Sequence, residues 1–493
     1  MSNTEIHSGS WAKSIFKVGK WYVLASLLVK GINAFTLPIF THYMSPSEMG
    51  IYNSINSLKA FIPLIISLGL DGAFIRFFHE YKKDHQKLAS MFSSTFWFVL
   101  FFGSMACVLL FFGFRHYHQD YNPLSIALAV FPPIFFQLGM LGIAFFNQSL
   151  ESYKTTLFQI SSTLIGVGFS IYFVVSLNSG VQGRLIGDSI IALILMLMVV
   201  VYFVRNNILQ LKFDKAYIKT ALLFSLPLLP VSLSAWVNTQ SSLLLIQRYF
   251  PGQSVAGLFG LATSVALLMY YAIDAITQVL NPVVMSGLIN DRLRTHQKIR
   301  ELMLMFTVVI LFIHLLIVYF SKELVIVFTA NAQAYKSAYL FIAPLCITYM
   351  FGIYHRLFTT VISFHKKNIY ITYAVIAGAI CMFMCNIVLL PLYGPKIAVV
   401  SQIIGTLIMV GLEFYFARKL EHIKFGLIRY WPFLLIYFLG VALFYGYLNV
   451  DTHFIQTLIL KIGIVTIVGL LFIYFGNYIE PLKQFLKRKL KLN

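Results

Sequence analysis

Apolar stretches, about fourteen of them and each near the length of a membrane crossing, fill almost the whole of this chain. The positive charge sits in every second gap between them. A helix needs about 20 apolar residues to cross the hydrocarbon core of a bilayer. With 493 residues divided this way, almost nothing is left for a soluble domain. The stretches fall near 18–40, 51–78, 90–113, 123–147, 155–178, 182–204, 217–246, 254–286, 299–320, 338–362, 370–392, 396–417, 427–448 and 454–477. The pattern predicts an all-α integral membrane protein of about 14 transmembrane helices.

Charge supports that reading and supplies an orientation. Charged residues make up 11% of the chain and hydrophobic residues 59%, whereas a soluble domain carries about 25% charged residues. The net charge of +20 does not point to nucleic acid, because the basic residues lie in short connectors beside apolar runs. Of the 37 Lys and Arg, 26 are assigned to the N-terminal tail, the even-numbered connectors and the C-terminal tail, and 5 to the odd-numbered connectors, counting with each connector the basic residues at the span ends beside it, Lys20, Lys219, Arg300, Arg429 and Lys396. Cytoplasmic connectors carry the excess of Lys and Arg. Both termini are therefore expected in the cytoplasm, with the basic connectors against an anionic leaflet. The first apolar stretch follows Lys13, Lys17 and Lys20 without a small-residue cleavage site, so it is expected to be retained as a span.

A weak internal repeat organises the spans. MSPSEMGIYN at 44–53 and PGQSVAGLFG at 251–260 align Gly50 with Gly257 and Tyr52 with Phe259. Each opens an apolar span that carries an acid, Asp71 in one and Asp274 in the other. The offset of about six spans keeps the orientation, which relates the repeats by an axis along the membrane normal. The expected division is an N-terminal lobe at 1–206, a C-terminal lobe at 207–424, and an appended helix pair with a basic tail at 425–493. This gives two pseudo-symmetric six-helix lobes plus a C-terminal helix pair.

Charges inside spans mark candidate function, since each costs about 2.5–3.5 kcal/mol on insertion scales and faces a cavity or partner. Ser26, Lys30 and Asn33 form one polar stripe, and Asp274, Gln278 and Asn281 another, each at i, i+4, i+7. Lys59, Asp71 and Arg76 share the second span; Gly352, Arg356, Thr359 and Ser363 share a face of the tenth. Cations at Lys30, Lys59, Arg76 and Arg356, with Asn33, are expected to bind an anionic substrate such as a phosphate or pyrophosphate. Asp71, Asp274, Gln278 and Asn281 are the candidates for a coupling cation, Na+ or H+. Blander readings apply elsewhere. Arg76 lies near enough to its helix end to snorkel to lipid phosphates, and Lys461 and Arg184 are expected to snorkel at the outer surface. Arg184 and Asp188 are spaced to pair at i,i+4. Glu413 reads as interfacial and His314 as packing.

Absences narrow the class. No GxxxxGK[ST] phosphate loop, HExxH or GxSxG occurs, so ATP hydrolysis and the commonest hydrolytic chemistries have no motif here. Cys107, Cys346, Cys381 and Cys385 lie inside apolar stretches with no CxxC spacing and read as packing residues. No cofactor, no metal and no enzymatic activity are expected.

The sequence WYVLASLLVKGINAFTLPIFTHYMSPSEMGIYN behind a basic start, LGLDGAFIRFF at 68–78 and VAGLFGLATSVALLMYYAIDAITQVLNPVV at 255–284 resemble the polysaccharide repeat-unit (O-antigen) flippases. These are exporters of the multidrug/oligosaccharidyl-lipid/polysaccharide superfamily, and the resemblance covers most of the chain. It implies two six-helix lobes around a central cationic cavity. It implies flipping of an undecaprenyl-diphosphate-linked oligosaccharide across a bacterial cytoplasmic (inner) membrane, with H+ or Na+ coupling. Lys30 and Arg76 would be cavity cations of the first lobe and Arg356 the counterpart in the second. The implied partners are the lipid-linked oligosaccharide, membrane lipids, a polysaccharide polymerase and a chain-length regulator. The seventh span departs from a symmetric cationic clamp: Asn238, Thr239, Gln240, Ser241 and Ser242 precede its first charge, Arg248. Alternatives on the same scaffold are a cation-coupled multidrug or metabolite exporter and a lipid-linked murein-precursor flippase.

Overall fold

The computed structural model describes residues 28–476 apart from 30, 33–34, 118–121, 253, 291, 331, 422–426 and 449–453. The basic tails, Lys30 and Asn33 fall outside the described residues. Every regular element among the described residues is helical. Hydrocarbon leaves an unpaired backbone group unsatisfied, and a helix satisfies its own. Serine and threonine hydroxyls do likewise, donating to the carbonyl four residues back, as Ser54 does to Gly50, Thr95 to Met91 and Thr156 to Ser152.

Ten helices among the described residues are long and apolar enough to cross a membrane, or up to eleven if one bent pair is counted as a single span. Val255–Tyr271 and Trp431–Gly446 are shorter apolar helices. The expected number of fourteen is thus not established by length and composition. Some helices outrun the predicted stretches. Arg292–Phe328 has 37 residues, about 55 Å at 1.5 Å per residue, against a hydrocarbon core of about 30 Å. It runs through much of the connector predicted at 321–337 and bends at Phe320, where φ −104° and ψ 15° leave the helical region.

The second predicted span is broken. Helices Pro46–Ser67 and Leu70–Tyr81 meet at 52°. The break is not at Pro63, which lies inside the first helix. It lies at Leu68 (φ 50°) and Gly69 (φ 74°), two consecutive left-handed residues. Glycine takes that conformation freely; leucine does not. The freed groups find partners: Ser225 Oγ donates to the Leu68 carbonyl at 2.8 Å, and the Gly69 amide donates to Ser67 Oγ.

Contacts group the chain into two compact units. The first runs to Gln247 and takes in Gly252–Gly257 and Phe328–Ala330; the second comprises Arg248–Pro251, Leu258–Val327 and the residues from Asn331 on. This grouping follows packing, whereas the lobes expected from the sequence follow the repeat. Most of helix Leu229–Tyr249 packs with the first unit: Trp236 Nε1 donates to the Ser57 carbonyl at 2.9 Å, and Ser57 Oγ donates to Gln240 at 2.9 Å.

In the first unit Phe92, Phe145, Phe146 and Phe203 form an aromatic core, with Phe92 stacked on Phe203 at 4.4 Å. Small residues bring helices Ser152–Ile171 and Gly180–Arg205 together: a Cβ on Gly187 would lie 2.6 Å from Ser170 Cα. Close packing of small residues is how helices associate where lipid removes the hydrophobic drive. The second unit repeats the device between Ile369–Tyr393 and Ile397–Leu420, where a Cβ on Gly378 would lie 2.7 Å from the Gly405 carbonyl. Its core runs along Arg292–Phe328, where Leu315 and Tyr319 pack with Phe433 and Tyr437 of Trp431–Leu443 and Val468 and Phe472 of Phe454–Gly476.

Candidate functional site

In the first unit the intramembrane charges gather around Asp188. Lys59 Nζ lies 3.2 Å from Asp188 Oδ2, and Tyr52 OH donates to the same oxygen at 3.0 Å. The pairing predicted between Arg184 and Asp188 is replaced by this one. Arg184 instead lies between two rings, 3.7 Å from the centroid of Phe40 and 4.3 Å from that of Tyr52. A guanidinium is weakly hydrated and stacks on aromatic faces, so the two rings can hold it. Lys59 and Asp188 open onto a cavity of about 290 Å³, lined also by Pro63, Pro132, Pro133 and Phe136. The two prolines at 132–133 start a new helix after Phe131, which shapes that wall.

Asp71 sits in the first turn after the break and accepts a hydrogen bond from Gln137 Nε2. Arg76 pairs with Glu80 one turn on at 3.1 Å, with both side chains about half exposed.

In the second unit the predicted candidates Asp274 and Arg356 do come together. Arg356 Nη2 lies 3.6 Å from Asp274 Oδ1 and donates to Tyr270 OH at 3.5 Å. The Arg356 side chain is 41% exposed and Asp274 29%. Gln278 and Asn281 lie on the same helix as Asp274, and their side chains fall outside the described ones. Each described cation of the predicted set is therefore held by a carboxylate: Lys59 by Asp188, Arg76 by Glu80, Arg356 by Asp274.

Two groups were misjudged from sequence. Glu413, expected at the interface, is fully buried at 0% exposure, and both its oxygens lie 2.9 Å from His355 Nδ1. Lys461, expected to snorkel, is 2% exposed and bonds Glu323 at 2.6 Å. In both cases the partner lies on another helix, far along the chain, where no local spacing can show it. His314 is a packed residue, as expected. Its Nε2 faces the Ala343 carbonyl at 2.9 Å and must donate, which leaves Nδ1 to accept from Tyr437 OH at 3.0 Å. That fixes a neutral tautomer that ties Arg292–Phe328 to Trp431–Leu443. Among the described residues no group of three His, Cys, Asp or Glu is arranged to hold a metal ion.

Comparison with known proteins supplies the family. The family described as polysaccharide biosynthesis protein matches residues 39–337, more than half of the chain. No curated protein matches in sequence. Among solved structures, a lipid II flippase MurJ in an inward closed conformation is similar at TM-score 0.70 and 15% identity, covering 96% of this chain and 99% of that one. A multidrug resistance MATE transporter in an inward-facing conformation is similar at TM-score 0.58 and 13% identity, covering 80% of this chain and 93% of that one. An outward-facing MATE transporter gives TM-score 0.54 and 12% identity, covering 83% of this chain and 95% of that one. The fold is the one these MurJ and MATE structures share. The chain is a multi-pass membrane protein that belongs to the polysaccharide biosynthesis protein family.

Proposed function

We propose that this protein flips undecaprenyl-diphosphate-linked O-antigen or capsule repeat units from the cytoplasmic to the outer leaflet of a bacterial inner membrane. It does so by alternating access, with a cation gradient as the drive. The observation that carries the reading is Arg356 with Asp274: a partly exposed guanidinium, inside a span, held by one carboxylate at 3.6 Å. A diphosphate offers the same fork more charge than a carboxylate does, and guanidinium binds phosphate bidentately. Substrate displaces Asp274 from Arg356, and the released carboxylate returns when the substrate leaves. Lys30, Asn33, Lys59 and Arg76 are the first-lobe candidates for binding the same anionic headgroup. The prenyl chain stays in lipid. Both termini lie in the cytoplasm, and a polymerase and chain-length regulator receive the product.

Family membership and the fold shared with MurJ support this reading. The likeness to MATE transporters favours a second, a multidrug or metabolite exporter on the same scaffold. The test is the pool of lipid-linked oligosaccharide in a deletion strain with and without the gene. Single repeat units accumulating in the inner leaflet, with surface polysaccharide lost, uphold flipping. Normal pools sink it and send the question to efflux. An accumulated murein precursor names a different lipid-linked substrate. With the gene restored, Arg356→Ala should cut export about 10–100-fold, the loss of one charge-assisted bond of about 1.5–3 kcal/mol. Export at the wild-type rate from equal protein overturns the role of Arg356.

A further inference from the structure

Of the coupling-cation candidates read from sequence, Asp71 accepts from Gln137 and Asp274 pairs with Arg356; a further buried carboxylate lies elsewhere. We infer that His355 and Glu413 form a proton-binding site inside the second unit, and that His296, His365 and Glu421 form its mouth.

Glu413 has 0% exposure, and His355 Nδ1 at 2.9 Å from each oxygen is its hydrogen-bond partner. A carboxylate can accept about four hydrogen bonds, and one imidazole N–H supplies one. Neutral histidine beside an ionised Glu413 is a net negative charge in a low-dielectric interior, which costs several kcal/mol. One added proton brings the pair to zero, as imidazole with carboxylic acid. A second would make it positive. The pair thus exchanges a single proton between a costly state and a neutral one. Helix Ile397–Leu420 packs against Ile369–Tyr393, Gly352–Phe364 and Tyr339–Met350. Besides His355, their titratable or charged groups are Tyr370, Tyr373, Cys381, Cys385 and Tyr393; Tyr354 and Arg356; Tyr339, Cys346 and Tyr349. Of the groups on these helices, His355 makes the contact with Glu413.

Eight residues on from Glu413, about 12 Å at helical rise, Glu421 is 7% exposed, beside the end of Gly352–Phe364 and the start of Arg292–Phe328. Its Oε1 lies 3.5 Å from His296 Nε2 and 3.8 Å from Arg292 Nε, and its Oε2 lies 3.7 Å from His365 Nε2. Both imidazole Nε2 atoms, Glu421 Oε1 and Arg300 Nε are buried without a hydrogen-bond partner. The three of these atoms that meet at Glu421, its own Oε1 and the two imidazole Nε2 atoms, are costly to leave orphaned, since each forfeits its solvation. A proton on either imidazole turns a long contact into a charge-assisted hydrogen bond. The connectors that meet here are even-numbered, which the charge bias assigns to the cytoplasm. Two His–Glu layers on one helix pair therefore lead from that face to a buried proton site. His355 neighbours Arg356 on one rigid helix, so a change in proton occupancy that moves the helix moves the cation assigned to substrate. That last link rests on the flippase reading; the proton site does not.

The experiment is infrared difference spectroscopy of the full-length protein in phosphatidylethanolamine and phosphatidylglycerol vesicles during a pH titration. The expected result is a protonated-carboxyl band that grows as pH falls. Glu413→Gln abolishes it, His355→Gln displaces it in pH, and Glu421→Gln keeps its amplitude but slows its appearance after a pH jump. A band that survives Glu413→Gln overturns the site. Should that variant not fold, His355→Gln keeps the carboxyl and decides alone: an unmoved band overturns the proposal. Lipid-linked oligosaccharide pools are measured in parallel. A pool that the wild-type gene does not clear sinks flipping without touching the band. A pool cleared equally by Glu413→Gln overturns the coupling role.

Discussion

In the first unit Lys59 is 16% exposed and sits 3.2 Å from Asp188, whose same oxygen also takes Tyr52 OH at 3.0 Å. In the second, Arg356 is 41% exposed, 3.6 Å from Asp274 and 3.5 Å from Tyr270 OH. Both devices place a cation on one helix and an acid on another, with a tyrosine beside them. The first is closer and less exposed, the second longer and more exposed. A dry pair with extra hydrogen bonds costs much to break because it strands a charge. An exposed pair at longer range is worth about 0–1 kcal/mol, because water screens it. The first arrangement suits a joint that stays shut, and the second a site that exchanges partners with a substrate.

The sharpest way to break this contrast is to remove each acid. Asp188→Ala strands Lys59 and leaves Tyr52 OH without its acceptor, and should cost about 3–5 kcal/mol. Asp274→Ala leaves a guanidinium that is already 41% exposed, and should cost under about 1 kcal/mol. Unfolding of the purified proteins in mixed detergent micelles measures both. Equal losses would mean that the two pairs are the same kind of object.

A second test separates charge from packing. Replacing Lys59→Met together with Asp188→Leu removes the pair and its desolvation cost at once. Such replacements of buried pairs are often neutral or stabilising. The double variant should recover at least about 2 kcal/mol of the Asp188→Ala loss. If it unfolds as readily as the single variant, the pair is holding the helices by more than its charges.

The sequence exposed much of this architecture and little of its wiring. Apolar length and the alternation of Lys and Arg predicted an all-helical membrane chain, because hydrocarbon permits few other solutions. Gly50 and Gly257, aligned by the repeat, meet in the structure: a Cβ on Gly257 would lie 1.8 Å from the Pro46 carbonyl, and one on Gly50 2.9 Å from the Gly257 amide. Asp274 and Arg356 were legible because each interrupts an apolar span near mid-depth. The break at Leu68–Gly69 was not legible, since a left-handed leucine leaves no sequence signature. Glu413 and Lys461 were assigned by depth along their own helices, whereas their burial is decided by His355 and Glu323 on others. Partners separated by 58 and 138 residues have no shared periodicity to read.

The smallest effect tests the tyrosines. Tyr52 OH donates to Asp188 in a buried setting, and a hydrogen bond to a charged group contributes about 1.5–3 kcal/mol. Tyr52→Phe removes that donor while keeping the ring against Arg184, so it should lose about 1.5 kcal/mol. Tyr270 OH lies 3.5 Å from Arg356, at the edge of hydrogen-bond range. Tyr270→Phe should therefore stay within about 0.5 kcal/mol, as surface changes do. The measurement is the same unfolding curve, read for each variant beside its wild type. If Tyr270→Phe proves the costlier of the two, Arg356 is the fixed cation and Lys59 the exchangeable one. The assignment of substrate contact would then move from the second unit to the cavity beside Asp188.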